Sequence, residues 1–191
     1  MKTHVTVMAL GLAALWMGAG LVAAQEPVQG PDDPEALFAS KDPKLNTNKQ
    51  AAMRIMRDLL EAGHWDEAPK WLTEKYIQHN PGFASGRQTV MNAFGARGTP
   101  RPIPDKNSWR TKVVSVVAEG DYVTVAVVRE LPDPREQGKT DTTTWSDMWR
   151  FVDGKADEHW DYGTINVFGA GRGGAPAGAP RGAGAPPAGQ R

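Results

Sequence analysis

The chain predicts an α+β domain in which helices come first and antiparallel strands follow. Two patterns carry that expectation. Between Asn46 and Gly95 apolar residues recur at helical spacing, whereas from Trp109 onward β-branched and apolar residues gather in short runs bounded by turn residues. Helices followed by runs of strands imply a curved sheet wrapped over the helices. Neither pattern extends into the two ends, so about 140 residues remain for one domain with one core.

Each element has its own signals. Asn46 to Asn48 offer caps for the first helix, Met53, Met56, Leu59 and Leu60 give it an apolar face, and Gly63 ends it. Asp66 caps a second helix, Glu67 to about Lys75, with Pro69 in its first turn and Trp71, Leu72 and Tyr76 as apolar contacts. Ser85 opens a third, short helix carrying Val90, Met91 and Phe94. Residues 109–117 and 122–128 then form a hairpin joined at Glu119-Gly120-Asp121, and a loop with Pro132, Pro134 and Gly138 leads to a second hairpin, Asp141 to Tyr162. The sequence contains no internal repeat and no Gly-rich phosphate loop.

The ends read differently. Lys2 and His4, an apolar run from Val5 to Val22 and the small residues Val22-Ala23-Ala24 describe a secretory signal over residues 1–24. An uncleaved membrane anchor is the alternative, but interruption by glycines and the cleavage-like end favour removal, leaving no stable anchor. Residues 25–45, rich in Pro, Asp and Gly, read as a linker with Leu37 and Phe38 as candidate anchors. From Gly169 the tail is nearly all Gly, Ala and Pro with scattered Arg, and its composition cannot bury enough apolar area to order it.

Composition excludes several functions. Lys plus Arg and Asp plus Glu number 22 each, so no global field recruits nucleic acid or an anionic bilayer. The absence of cysteine removes disulfides, thiolate metal sites and a thiol nucleophile. Export without disulfides fits a bacterial periplasmic or secreted protein.

The second hairpin concentrates the chemistry. Alternation along its first strand puts Trp145, Asp147, Trp149 and Phe151 on one face, setting an acid into an aromatic surface, and His159 and Asp161 share a face of the second strand. A charge held against indole rings is costly unless a partner or a task stabilises it.

Tyr76-Ile77-Gln78-His79-Asn80-Pro81, then Gly86-Arg87, then Asp147-x-x-Arg150-Phe151 and Asp153-Gly154-Lys155-x-x-Glu158-His159-Trp160-Asp161 resemble the SnoaL-like polyketide cyclase family of the nuclear transport factor 2-like superfamily. The resemblance spans about residues 46–165, and the domain is drawn over 46–168. It implies a cone-shaped, cystatin-like fold, three N-terminal helices on a curved antiparallel sheet, a deep pocket between them, and homodimers formed through the sheet. It also implies that Asp161 matches the aspartate taken as the base in aldol closure, while Asp147 stands where those cyclases have a histidine.

Two turns are open at Asp153-Gly154. A two-residue turn pairs Val152 with Lys155 and sends His159 and Asp161 to the face opposite Asp147; a three-residue turn pairs Phe151 with Lys155 and gathers all three, as the family's pocket requires. The expected site therefore has Asp161 as general base, His159 as its partner, Asp147 beside them and His79 at the mouth. Trp145, Trp149, Trp160, Tyr76, Asn80 and Met53 are expected to line a pocket for a small, mostly apolar organic ligand. No cofactor is expected and no metal: a triad of His79, His159 and a carboxylate lacks a ligand pair at helical spacing. A non-catalytic binding protein using the same pocket is the alternative function.

Overall fold

The computed structural model describes residues 26–106, 108–133 and 136–163; the expected signal segment and the Gly/Ala/Pro tail lie outside them. Among the described residues no helix is long and apolar enough to cross a membrane. The α+β class is borne out.

Helix α1, Pro43–Arg54, begins earlier than its sequence signals suggest. Its cap is Asp42, whose side chain accepts from the Leu45 amide at 2.9 Å with Pro43 in the first turn, where a missing N–H costs nothing. The helix runs on without a break as a π-helical stretch, Ile55–Glu61, closed by the bond from the Ala62 amide to the Arg57 carbonyl. That wider winding turns Arg57, Asp58 and Glu61 inward, and each is partnered. Arg57 bonds Asp58 at 2.7 Å and Glu35 at 3.0 Å, and Glu61 accepts from the Arg110 and Thr111 amides at 2.8 Å each. Pairing of this kind is what makes buried charge tolerable. The segment expected as a linker is thus anchored: Phe38 is fully buried and Glu35 closes the Arg57 pair.

The expected second helix is cut short. A 3-10 turn, Trp65–Glu67, leads into the single turn α2, Ala68–Trp71, and Leu72–Gln78 is the strand β1, so Tyr76 belongs to the sheet. Helix α3 spans Arg87–Gly95. Strands β2, Val113–Glu119, β3, Tyr122–Pro132, β4, Thr140–Val152, and β5, Lys155–Trp160, complete a five-stranded sheet in the order β1-β5-β4-β3-β2. Pairing of β1 with β5 is parallel and every other pairing is antiparallel, so the sheet is mixed, which corrects the fully antiparallel expectation. Trp149, Phe38, Phe151, Leu59, Leu72 and Val125 form the centre of the core between sheet and helices, each worth about 1.5–3 kcal/mol of apolar burial.

The turn between β4 and β5 overturns the three-residue expectation. Val152 pairs with Lys155, and Asp153 and Gly154 both have positive φ, 48° and 73°, the two-residue Asp-Gly hairpin turn. Taken alone, that register sends His159 outward. It does not, because Asp157 is an extra residue: Phe151 pairs with Ala156 and Arg150 with Glu158, a β-bulge that shifts the alternation by one. Beyond it Trp149 lies opposite His159, and the inner face regains its histidine.

Candidate functional site

Asp147, His159 and Asp161 converge on the inner face of the sheet. One ligating atom from each lies within 4.8 Å of the others, with His159 buried and both acids half-buried. Nε2 of His159 is 3.1 Å from Asp147 Oδ1, and Nδ1 is 2.8 Å from Gln78 Oε1. The imidazole packs against Trp149 at 5.3 Å and Tyr76 at 6.2 Å between ring centroids.

Strand β1 and the residues that follow it supply the other half. Tyr76 Oη accepts from Trp149 Nε1 at 3.0 Å, Gln78 faces His159, and Asn80 Nδ2 donates to Asp161 Oδ2 at 2.9 Å. Asp161 Oδ1 accepts from the Gly163 amide at 2.9 Å. Burial pushes the Tyr76 phenol far above its ordinary value, and the nearby Asp147 and Asp161 charges push the same way against the Trp149 bond. Tyr76 thus stays a neutral hydroxyl beside the acids. The three ligating atoms are close enough to hold one divalent cation, a set of two carboxylates and one imidazole.

Other expected site residues fall elsewhere. Trp149, Tyr76 and Met53 are 1%, 4% and 5% exposed and pack into the core, so they close the interior where the resemblance implies a deep pocket. Two concavities, about 80 Å³ beside Gly30 and Trp109 and about 380 Å³ beside Glu61 and Arg101, border none of Asp147, His159 or Asp161. Trp145 is half-buried, tilted against Tyr162 and capped by Arg129, whose guanidinium sits 4.6 Å from its ring.

His79 is not at the site mouth. Its Nε2 bonds Glu158 at 2.9 Å and its ring stacks on Trp160 at 4.5 Å, which places both His79 and Trp160 on the outer face, among Arg150, Asp157 and Lys75. The bond from His79 holds the Glu158 carboxyl below its usual range, and Arg150 adds to this. Gln78 is the site residue that sequence reasoning missed. Its signal is present, since Tyr76, Gln78 and Asn80 alternate as strand neighbours do, but the expected helix to about Lys75 covers the start of that strand and leaves Gln78 without an element.

Among solved structures, a candidate SnoaL-like polyketide cyclase from Jannaschia sp. CCS1 is similar at 18% identity and TM-score 0.47, covering 65% of this chain and 90% of that one. A candidate polyketide cyclase from Bacillus cereus ATCC 10987 is 20% identical with TM-score 0.45, covering 74% and 87%. An LEH-like epoxide hydrolase from M. tuberculosis is 15% identical with TM-score 0.43, covering 60% and 80%. No curated protein matches the chain. The family model for the SnoaL-like domain matches residues 53–159, which include β1, the bulged hairpin and both Asp147 and His159, and the chain belongs to that family.

Proposed function

We propose that this is an exported SnoaL-like protein that binds a small, mostly apolar organic molecule bearing a carbonyl or hydroxyl, and moves a proton on it without a cofactor. Asp161 is the base, His159 its relay, and Asp147 the group that takes up the imidazole N–H. One observation carries the reading: two carboxylates and an imidazole meet within 4.8 Å, beside a buried neutral tyrosine, on the inner face of the sheet. Core side chains fill the interior, so the ligand meets the site from the side of half-buried Asp161 and Trp145. The same reading has the protein in the periplasm and dimeric through the outer sheet face, where Val117 and Tyr122 are 65% and 44% exposed.

The test begins with a thermal-shift screen of the mature protein against carbonyl-bearing metabolites, since a ligand of the folded state raises its melting point. Deuterium exchange at the carbon next to the carbonyl of each hit is then followed. Asp161→Asn is expected to abolish exchange and keep the fold; wild-type exchange in that variant removes the base assignment. Binding with no exchange in the wild type supports the non-catalytic alternative. The compactness of the cluster favours one second reading, a divalent-cation site. It predicts one Mn²⁺ per chain by calorimetry, lost in His159→Gln, and absence of any such uptake ends it.

A further inference from the structure

We propose that Arg129, Trp145 and Tyr162 form an anion-anchoring subsite, and that the molecule bound beside Asp161 is a flat aryl carboxylate held by its charged end. The inference deepens the small-molecule reading and rests on it for the placing of the ligand's carbonyl near Asp147 and Asp161. Along the inner rows of β3 and β4, burial falls from Val123 opposite Trp149, both buried, to Arg129 opposite Thr143, both exposed. Asp147 and Trp145 lie between, so the core closes one end of this face and the other end is open.

Charge divides along the same line. Asp147 and Asp161 stand at the closed end, where a further carboxylate is repelled, and the His159 imidazole there is already bonded to Asp147. At the open end the cation is Arg129, its guanidinium carbon 4.6 Å from the centre of the Trp145 ring. Among the described residues that ring is its partner, and no ion pair engages it. Neighbouring Glu130 alternates to the opposite face, toward Lys112. A guanidinium stacked on an indole keeps its in-plane N–H fork free, and that fork matches a carboxylate. Tyr162, 69% exposed, tilts against Trp145 with ring centroids 5.7 Å apart and follows Asp161 directly. The two rings thus run from the acids to the guanidinium. Trp145 is two residues, about 7 Å of strand, from Asp147, a span that one para-substituted benzene ring bridges. A planar ring with a ketone at one end and a carboxylate at the other fits this polarity in one orientation.

Isothermal titration calorimetry of the full chain with 4-acetylbenzoate and its methyl ester tests this. The two probes share the ring and the ketone and differ in charge. The acid should bind about tenfold tighter than the ester, the worth of one charge-assisted contact, and added salt should narrow the gap. Arg129→Gln should weaken the acid by the same factor and leave the ester unchanged. Arg129→Lys should keep part of the preference, since it keeps the charge without the fork. Equal affinities in the wild type, or no binding of the acid, overturn the proposal even if Arg129→Gln fails to fold. So does a folded Arg129→Gln chain that still prefers the acid. Deuterium exchange into the acetyl methyl group separates the two readings. Arg129-dependent binding of the acid without exchange defeats proton transfer and leaves the anchor standing, whereas equal affinity with exchange on both probes defeats the anchor alone.

Discussion

Trp149 is a core residue with one polar obligation, and Tyr76 meets it. The indole N–H of a 1%-exposed tryptophan has nowhere to go in an apolar interior, and the 3.0 Å bond to Tyr76 Oη satisfies it. Trp149→Phe removes that donor and leaves space beside the His159 ring. The expected cost is about 2–3 kcal/mol, read as a lower urea midpoint with unchanged slope. Tyr76→Phe leaves the indole N–H buried and unpaired, at about 1–3 kcal/mol. A variant of either kind as stable as wild type would show that the pair carries no weight.

At the level of elements, the bulge at Asp157 and the Asp153-Gly154 turn act together. The turn sets a register that turns His159 outward, and the bulge reverses it before His159 is reached. Deleting Asp157 should therefore place His159 on the outer face or unfold β5, and it should cost more stability than Asp157→Asn, which keeps the residue count. Equal effects by thermal unfolding would mean that the bulge does not set the face. The helix-then-hairpin order, the inward row of Asp147, Trp149 and Phe151, and the place of the hairpin bend at Asp153-Gly154 were legible in the sequence, but the two-residue form of that turn was not. The β1 strand was not, because Leu72 to Gln78 is short, carries exposed Glu74 and Lys75, and follows a Pro-containing helical turn, so helical and strand periods both fit it. Nor was the bulge, whose position depends on Asp157 finding Thr73, Lys75 and Arg150 across the sheet. Gathering Asp147, His159 and Asp161 was the right expectation reached through the wrong turn.

For the whole molecule, the outer face carries an ionic lattice that ties β1, β4 and β5. Burial pushes the Asp157 carboxyl up, but Lys75, Thr73 and Arg150 outweigh it and hold the group below its ordinary value; Glu158 is likewise lowered, by His79 and Arg150. Groups with depressed folded values contribute stability that is fully present above their unfolded values and is lost as pH falls through the folded ones. The unfolding free energy should therefore hold at neutral pH and decline below about pH 4. Asp157→Asn should cost about 2 kcal/mol at pH 7, with the gap to wild type narrowing in acid. A gap that stays constant from pH 7 to pH 3 would contradict this origin.

Strand β1 stands at the sheet's border, held on one side by β5 alone. Its residues and the turn beyond them deliver the hydroxyl, the two carboxamides and, through them, the alignment of imidazole and acid. Fraying of that single border strand would disarm every group simultaneously while leaving the remaining four strands zipped, so readiness for chemistry and the seam between first and last strands rise and fall as one equilibrium.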